Sequence, residues 1–360
     1  MQIDFQNFNL DKLSPKNEFE CEVVNFIKLW FSEEKYVSVK TSGSTGMPKI
    51  IQVEREKMCI SAKMTCDFLN LKEGNSALLC LPIEYISGKM MIVRAIERKL
   101  KIYVENSSLK PLKNFSKKID FCAMTPLQVE NSLDKIHLIK KLIIGGAKVS
   151  EHLKFKISQI SNLTRGEAEL SGTKSQIYET YGMSETLSHI ALKEIFPINE
   201  NYFTVIARNE AISRFNNIEI SKDERNCLQI FAPMLNSEVL KTNDIVEIKN
   251  ENQFKFIGRA DFIINSGGLK ISPEVLEKLV KKSIPNELIF VGIKDEILGE
   301  KLVLVIEGEK QNQILEKLKE INFPSKNHKP KEVVFLKEFP RSETGKILRF
   351  EIKKTIENND

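Results

Sequence analysis

The hydrophobic pattern of the first 150 residues alternates between helical and strand-like segments. In EFECEVVNFIKLWFSEEKY, apolar side chains such as Val23, Phe26 and Trp30 recur at helical spacing, which predicts an amphipathic helix. There follow strand VSVK, a glycine-rich loop, strand IIQV, a helix over 54–70, strand NSALLCLP, helix ISGKMMIVRAIERKL and strand KIYVE. FCAMTP, a helix over 126–135 and KLIIGGA continue the alternation. The pattern predicts an open α/β sheet of mostly parallel strands, which binds ligands at the carboxyl ends of those strands.

Beyond about residue 200 the pattern changes to shorter segments of alternating polarity. YFTVIAR, NIEIS, CLQIFAP, DIVEIK and QFKFIG predict a small antiparallel β region appended to the sheet. Helices near 273–283 and 311–320, with strands ELIFVGI, KLVLVIEG and EVVFL, predict a small α+β domain after it. The stretch GRADFIINSGG, which carries Gly258, Gly267 and Gly268, is the predicted join between the two. We therefore expect a large domain over 1–260 and a small C-terminal domain over 261–360.

Composition and charge narrow the class of protein. The 360 residues include 54 basic and 49 acidic side chains, a formal net charge of +5, with the two signs interleaved. This predicts a lysine-rich solvated surface rather than a nucleic-acid-binding face. The sequence has neither a secretory signal pattern nor eighteen consecutive apolar residues, so we expect a cytoplasmic protein without a membrane span. Six cysteines without a C-x-x-C pair predict free thiols, and a metal site of protein ligands alone is not expected.

The densest polar motif is the glycine-rich loop TSGSTGMPK, which lies between two predicted strands. Its glycines let the backbone turn tightly and present N–H groups to an anion, while its hydroxyls and lysine add donors and positive charge. The loop does not align with G-x-x-x-x-G-K-[ST], so it is not a Walker A loop. A plain polar turn would need neither the hydroxyls nor the lysine. We therefore predict a polyphosphate-binding loop formed by Thr41, Ser42, Gly43, Ser44, Thr45, Gly46 and Lys49.

Three further motifs are weaker when each is taken alone. YGMSET at 181–186 joins a glycine turn to a hydroxyl and a carboxylate, which suits a phosphate oxygen and Mg²⁺, although Ser184 would also serve as a helix cap. Asp244 suits the ribose hydroxyls and Arg259 suits ribose or a phosphate, although such residues are common in turns and on surfaces. PRSETGK at 340–346 reads by itself as an exposed turn with one lysine. The order and spacing of all four motifs carry the prediction.

Together these motifs resemble the superfamily of adenylate-forming enzymes, which includes acyl-CoA synthetases, peptide-synthetase adenylation domains and luciferases. The match runs from about residue 38 to 350, with TSGSTGMPK, LPIEYISGK, YGMSET, KTNDIVEI, GRADFIINSGGLKISPEVLE and PRSETGKILR in the family's order. The resemblance implies that ATP and a carboxylic acid give an acyl-adenylate and pyrophosphate, with Mg²⁺ on the phosphates. In the family's CoA ligases, CoA then takes the acyl group.

The resemblance also implies roles for single residues. Lys346 matches the catalytic lysine, Ser184 would contact the α-phosphate and Glu185 would bind Mg²⁺. Asp261 matches the hinge residue about which the small domain rotates between the two half-reactions. The residues implied for the adenine pocket, the ribose and the thiol tunnel are Gly145, Gly146, Ala147, Glu179, Thr180, Tyr181, Gly182, Asp244, Arg259, Gly267 and Gly268.

The segment LPIEYISGK bears on the identity of the acid. It lacks an aspartate that would hold an amino group, which disfavours amino acids, although Glu84 is nearby. The compact length, SGK in this segment and SETLSHIAL further on are most similar to short bacterial o-succinylbenzoate–CoA ligases of menaquinone synthesis. A second carboxylate needs a cation, for which Arg94 and Lys89 are candidates, with Arg94 favoured over a surface role. Tyr85 would wall the pocket, or equally pack in the core.

Two other functions stay open at the level of sequence. One is an enzyme that passes an aryl or alkyl acid to a carrier protein instead of CoA. The other is a degenerate member that binds nucleotide and regulates or scaffolds, which the intact Lys49, Glu185, Asp244 and Lys346 disfavour. Related enzymes are often dimers, although nothing in the sequence indicates a homodimer here.

Overall fold

The computed structural model describes residues 1–40, 50–160, 175–196, 202–205, 218–342 and 346–358. Contacts divide the chain into two compact units. The first unit comprises Met1–Glu219, Ile230–Leu240 and Asn250–Gln253, and the second comprises Ile220–Gln229, Lys241–Lys249 and Phe254–Asp360. The predicted domain boundary at residue 260 stays a prediction.

The first unit alternates helices and strands much as its sequence predicts. Its helices are α1 (Glu18–Trp30), α2 (Arg55–Phe68), α3 (Ile86–Glu97), α4 (Pro126–Glu130) and α5 (151–160). Its strands are β1 (Gln2–Asp4), β2 (Tyr36–Lys40), β3 (Ile50–Glu54), β4 (Ser76–Leu79), β5 (Lys101–Val104), β6 (Ile119–Met124), β7 (Ile139–Ile144), β8 (Gln176–Gly182), β9 (His189–Phe196) and β10 (Phe203–Val205).

The strands of the first unit form a mixed sheet in the order β1-β5-β4-β6-β7-β8-β9-β10. The five central strands, from β5 to β8, pair in parallel, whereas β1, β9 and β10 pair antiparallel to their neighbours. The expectation of mostly parallel strands is therefore confirmed for the centre of this sheet. β2 and β3 form a separate antiparallel pair. Because β5 and β6 lie on opposite sides of β4, the chain reverses its winding there, which in open α/β sheets marks the ligand-binding crevice.

The helix predicted over 126–135 is shorter than expected. Thr125 begins α4 with a capping box, in which its hydroxyl accepts from the Gln128 N–H while the Gln128 side chain accepts from the Thr125 N–H. α4 nevertheless ends at Glu130, because Ser132 donates its N–H to Val129 three residues back and the chain continues as turns. The amide of Gln128 also donates to the Cys80 carbonyl at 2.9 Å, which fixes α4 against the end of β4.

The later strands are β11 (Glu219–Lys222), β12 (Cys227–Ala232), β13 (Asn236–Asn250) and β14 (Gln253–Arg259), which neighbour one another in the order β14-β13-β12-β11. A smaller sheet contains β15 (Ile264–Ser266), β16 (Leu269–Ile271), β17 (Leu288–Asp295), β18 (Gly299–Glu307) and β19 (Glu332–Leu336). Its pairs are antiparallel except for β18 with β19. The helices here are α6 (Pro273–Val280), α7 (Asn312–Glu320) and α8 (Arg349–Glu357).

The smaller sheet buries an apolar cluster on each face. Leu276 and Val280 of α6 and Ile314 of α7 belong to one cluster, together with Leu302 and Leu304 of β18. Ile352 and Ile356 of α8 belong to the other, with alternate residues of the same strand, because successive strand side chains point to opposite faces. Among the described helices, none is both long and apolar enough to span a membrane.

Candidate functional site

The carboxyl ends of four neighbouring parallel strands bring the predicted site segments to one edge of the first unit's sheet. β4 leads into the substrate segment 81–89, and β6 leads into Thr125 at the start of α4. β7 leads into Gly145–Ala147, and β8 ends at Gly182 before the SET turn. Parallel strands share one direction, so their ends must meet at the same edge. The fold therefore assembles segments that lie up to a hundred residues apart in sequence.

Gly145 and Thr180 are in direct contact at this edge. The Gly145 N–H donates to the Met124 carbonyl at 3.1 Å, and a Cβ added to Gly145 would lie only 2.5 Å from the Thr180 hydroxyl oxygen. Gly146 has φ +84°, a backbone conformation that favours glycine. Two parts of the predicted adenine pocket therefore meet. The narrow space beside Thr180 explains Gly145, and the positive φ of the turn explains Gly146. Their contact with adenine stays a prediction.

Glu179 lies in the same strand but has a buried carboxylate that already has partners. The side chain accepts from the Val149 N–H at 3.1 Å and pairs with Lys193 at 2.9 Å and Lys154 at 3.3 Å. Burial alone would raise the pKa of Glu179, but the two lysines and the hydrogen bonds hold it below its usual range. The carboxylate thus joins α5 and β9 to β8, an interaction that the sequence did not indicate.

The YGMSET motif forms a tight turn between β8 and β9. A Cβ on Gly182 would lie 2.4 Å from the Ser188 carbonyl oxygen, so only glycine fits there. Thr186 is buried and holds the turn: its hydroxyl oxygen accepts from the Met183 N–H at 3.0 Å and lies 2.7 Å from the Ser188 carbonyl oxygen. Ser184–Thr186 form one 3₁₀ turn, and the Glu185 side chain is exposed. A single exposed carboxylate at strand ends suits Mg²⁺, which takes one or two protein carboxylates.

The substrate segment is packed tightly against the start of α3. A Cβ on Gly88 would lie 2.2 Å from the Pro82 carbonyl oxygen, which explains the glycine of SGK. Tyr85 is buried, with the ammonium of Lys40 5.3 Å from its ring centre, at the end of β2. The Lys89 ammonium donates to the carbonyls of Ile83 and Glu84, so it holds its own loop. This contact accounts for Lys89 structurally, and its predicted contact with substrate remains untested.

Arg94 lies within the core of the first unit, 2% exposed, on the third turn of α3. Its Nη2 donates to the Ser188 hydroxyl at 2.8 Å, and its Nε has no hydrogen-bond partner. Burial lowers the pKa of Arg94 to about 10. No carboxylate of the described residues lies within ion-pair distance of this guanidinium. The surface alternative considered for Arg94 is therefore excluded, because the side chain is buried.

Ser188 and His189 are polar residues of this site that the sequence reasoning did not single out. They follow the SET turn closely. Ser188 contacts Arg94, which is more than ninety positions earlier in the chain, and His189 contacts Ser188. Ser188 precedes β9 and His189 begins it, and a single serine or histidine is common at such a position. Only the three-dimensional proximity of α3 to the start of β9 distinguishes them.

In the second unit, Asp244 and Arg259 come together as the sequence predicts for a ribose site. Arg259 Nη1 lies 3.4 Å from Asp244, and its Nη2 lies 2.6 Å from the predicted hinge residue Asp261. Asp244 is buried in β13, where its N–H donates to the Thr242 hydroxyl at 3.1 Å. The ion pairs place both carboxylates on one guanidinium.

Lys346 shares the surroundings of this pair. Its N–H donates to the Ser342 hydroxyl at 3.1 Å. Burial lowers the pKa of Lys346, the charge of Arg259 lowers it further, and Asp244 acts in the opposite direction. The structure thus brings the predicted catalytic lysine within electrostatic reach of the predicted ribose residues.

Gly267 and Gly268 form the turn between β15 and β16, with φ +57° and +80°. The Gly267 N–H donates to the Leu298 carbonyl at 2.9 Å, while the space where a Gly268 Cβ would lie is open. This turn is therefore fixed on one side and accessible on the other.

Some predicted site residues lie outside the described part of the chain. They are the phosphate loop residues Thr41, Ser42, Gly43, Ser44, Thr45, Gly46 and Lys49. Within the described ranges, no group of three or more histidine, cysteine, aspartate or glutamate side chains is arranged to hold a metal ion.

Comparisons with known proteins find relatives of this chain by sequence and by fold. No family model matches the chain. The chain is 26% identical over 350 residues to the 2-succinylbenzoate–CoA ligase of Lactococcus lactis, covering 90% of this chain and 72% of that protein. Its fold is similar to that of the o-succinylbenzoate coenzyme A synthetase of Bacillus subtilis solved with ATP and a magnesium ion. That likeness has a TM-score of 0.67 and 20% identity, covering 88% of this chain and 69% of the other.

A second solved structure shows the family. It is an acyl-CoA synthetase (AMP-forming)/AMP-acid ligase II-like protein from Dyadobacter fermentans, which is 32% identical with a TM-score of 0.63. The match covers 99% of both chains. With this relative, and with the strand-end segments gathered at one edge, the chain belongs to the AMP-forming acyl-CoA synthetases.

Proposed function

We propose that the protein uses ATP to convert o-succinylbenzoate to its acyl-adenylate and then transfers the acyl group to CoA, a step of menaquinone synthesis. The observation that carries the choice of acid is Arg94, a buried cation without a described carboxylate partner, next to the YGMSET turn. A buried charge of this kind is costly unless an opposite charge meets it. A substrate with a second carboxylate supplies one. The Lactococcus lactis relative bears the name of the same activity.

In the first half-reaction, a carboxylate oxygen of the acid attacks the α-phosphorus of ATP. A new P–O bond forms, and the bond to the bridging oxygen breaks as pyrophosphate leaves with the electron pair. The protein contributes position and charge rather than a covalent intermediate. The loop 41–49 would hold the departing phosphates, and Ser184 would contact the α-phosphate. Glu185 would hold Mg²⁺, which neutralises charge on the phosphate oxygens.

The adenine pocket would be formed by Gly145, Gly146, Ala147 and the strand residues Glu179–Gly182. The close approach of Gly145 to Thr180 supports this proposal. Asp244 would accept the ribose hydroxyls, with Arg259 beside it. Lys346 would bridge the attacking carboxylate and the α-phosphate as negative charge accumulates there.

In the second half-reaction, the CoA thiolate attacks the acyl carbon and AMP leaves. We propose that Asp261 is the hinge for this step and that the open turn Gly267–Gly268 lines the approach of the thiol. Separating the two chemistries by a domain movement would let one site serve both.

The test is acid-dependent formation of AMP with and without CoA, over a panel of aryl, fatty and amino acids that includes o-succinylbenzoate. We expect o-succinylbenzoate to be the preferred acid and CoA to convert its adenylate to a thioester. A clear preference for a fatty or amino acid would contradict the proposed substrate. Transfer to a carrier protein but not to CoA would support the carrier-loading alternative.

A variant tests the proposed catalytic residue. Lys346→Ala should lower pyrophosphate release by about a hundred-fold or more, because one charge-stabilising group is lost. ATP binding, measured by calorimetry, should persist. Lys337→Ala, which removes an exposed lysine from the same unit, is the matched control. An unchanged rate in Lys346→Ala would contradict the role of this lysine.

A further inference from the structure

A chain of hydrogen bonds runs from Arg94 through the core of the first unit. Arg94 Nη2 lies 2.8 Å from Ser188 Oγ, which lies 3.3 Å from His189 Nδ1. His189 Nε2 lies 3.1 Å from Thr65 Oγ1, and that hydroxyl lies 3.1 Å from the Ser61 carbonyl oxygen. Arg94, His189, Thr65 and Ser61 are all buried, so water does not compete for these contacts.

The chemistry of the two ends fixes the direction of the bonds at Arg94 and at Thr65. A guanidinium only donates, so the Ser188 oxygen accepts from Arg94 and its own proton is left for His189 Nδ1. A carbonyl only accepts, so Thr65 donates to Ser61 and its oxygen accepts from His189 Nε2. The Nε2 atom of His189 therefore carries a proton, and in the neutral ring Nδ1 accepts from the Ser188 hydroxyl. Burial and then the charge of Arg94 hold the pKa of His189 well below its usual range, in agreement with this tautomer.

This series of hydrogen bonds orients Arg94, but no described residue of it neutralises the charge of the guanidinium. Ser188, His189, Thr65 and Ser61 are all neutral. Within the described part of the chain, the other hydrogen-bond partner of the guanidinium is the Met91 sulfur at 3.9 Å. Both ring nitrogens of His189 are occupied and its pKa is lowered, so the imidazole is unsuited to act as a base. Its position between two hydroxyls suits a structural link instead.

The same serine joins Arg94 to the turn that carries Glu185. The Ser188 hydroxyl accepts from Arg94, while the Thr186 hydroxyl lies 2.7 Å from the Ser188 carbonyl oxygen. A displacement of Ser188 would therefore disturb the guanidinium and the turn together. The arrangement couples the place of a second anion to the segment proposed for the magnesium ion.

We infer that Ser188, His189 and Thr65 are positioning residues that hold the Arg94 guanidinium for a second anionic group of the acid, and so set selectivity for dicarboxylic over monocarboxylic substrates. The inference rests on the proposed function and extends it to Thr65 and to two residues of the segment SETLSHIAL for which the sequence indicated no role. A buried donor held in one orientation rejects a substrate that lacks its partner more strongly than a mobile surface cation does.

The kinetic test compares o-succinylbenzoate with 3-benzoylpropionate, which lacks the ring carboxylate. In Ser188→Ala and Thr65→Val we expect KM for o-succinylbenzoate to rise about ten-fold with little change in kcat, because ground-state and transition-state binding are lost together. KM for 3-benzoylpropionate and for ATP should stay unchanged, because both substitutions keep the Ser188 carbonyl that Thr186 contacts. Thr65→Ser keeps the hydroxyl and should restore the wild-type values.

General destabilisation would give a different result, namely similar losses for both acids and for ATP, and that outcome would overturn the inference. An unchanged preference in both hydroxyl-deleting variants would overturn it as well. Thr355→Ala, which removes an exposed hydroxyl from the second unit, is the control.

A second measurement does not depend on the identity of the acid. Side-chain ¹⁵N spectra of the histidines, assigned with His189→Gln, should show His189 as the Nε2–H tautomer throughout the neutral range. An Nδ1–H or protonated ring would overturn the inferred chain of hydrogen bonds from Arg94 to Ser61, even if o-succinylbenzoate is the substrate. Conversely, if His189 is the Nε2–H tautomer but the enzyme does not accept o-succinylbenzoate, only the proposed substrate is contradicted.

Discussion

The ammonium group of Lys346 lies half-buried in the second unit, within electrostatic reach of Arg259 and Asp244. Burial lowers its pKa, Arg259 adds repulsion, and Asp244 favours the charged form. A lysine that must carry its proton to stabilise charge at the α-phosphate then loses that proton at a lower pH than an ordinary lysine does.

We therefore predict that pyrophosphate release without CoA declines as the pH rises through this lowered pKa, before the ordinary lysine value of 10.5 is reached. Arg259→Gln removes a positive neighbour and should shift the decline of the residual activity to higher pH. Asp244→Asn removes a negative neighbour and should shift it to lower pH. Profiles of rate against pH at saturating ATP measure both shifts, and shifts in the same direction would contradict the assignment.

At the scale of single residues, the sequence indicated where glycines are required better than it indicated which charged side chains pair. The glycines at 145, 182 and 88 stand in motifs whose turns require them, and each is explained by a backbone or side chain that a Cβ would strike. Glu179 is different, because its partners Lys154 and Lys193 belong to other elements. In a chain with 54 basic residues, nothing local indicates which two will meet a given carboxylate.

At the scale of elements, the ion pairs of Glu179 join β8 to α5 and to β9. The carboxylate is 5% exposed, so removing it would leave two largely buried ammonium groups facing each other. The lowered pKa of Glu179 means that its carboxylate is charged in the folded protein even below the ordinary value of 4.5. The stability that it contributes is present above that value and is lost as the pH falls through the lowered one.

Glu179→Ala should lower the free energy of unfolding by about 3 kcal/mol, the order of loss seen when one partner of a buried ion pair is removed. Urea unfolding at neutral pH measures the change. The matched control is Glu130→Ala, which removes a pair with Lys156 that is more than a third exposed on both sides and should cost less than about 1 kcal/mol. Equal losses in the two variants would show that burial of the Glu179 pairs is not what matters.

Hydrophobic periodicity was sufficient to predict some helices and strands but not others. The alternation predicted α2, α3 and the strands β4 to β7, because their apolar positions repeat with a clear period. The sequence indicated only the DIVEIK part of β13, yet this strand runs from Asn236 to Asn250. Its first half, NSEVLKT, is mostly exposed, and an exposed strand carries no apolar alternation to read.

At the scale of the whole molecule, the proposed two-step reaction depends on the segment around Asp261. This residue lies in a 3₁₀ turn over Ala260–Phe262 and pairs with Arg259. Two units are present, but their division does not follow one cut in the sequence, since residues 220–229 and 241–249 belong to the second unit. Hydrophobic patterns report on neighbours in sequence, so they could not indicate that these strand segments group with the C-terminal helices.

Asp261→Pro should slow thioester formation more than adenylate formation, because proline fixes φ and restricts the turn that the proposed rotation needs. Rapid-quench measurements separate the two half-reactions. Asp261→Ala removes the ion pair with Arg259 but leaves the backbone free, so it shows what the loss of charge does alone. Equal slowing of both half-reactions by proline would contradict the proposed hinge.

The close approach of Gly88 to Pro82 has a consequence for how selectivity can be altered. A Cβ added to Gly88 would lie 2.2 Å from the Pro82 carbonyl oxygen, and Lys89 donates to carbonyls of the same loop. The loop and the start of α3 are therefore packed together as one unit. Arg94 lies two turns further along this helix. A single substitution in the loop would therefore move the loop little, because the loop packs against the start of α3. A graft of 81–94 as one cassette, together with Ser188 and His189, is the natural unit by which the choice of acid is exchanged while the chemistry on ATP is kept.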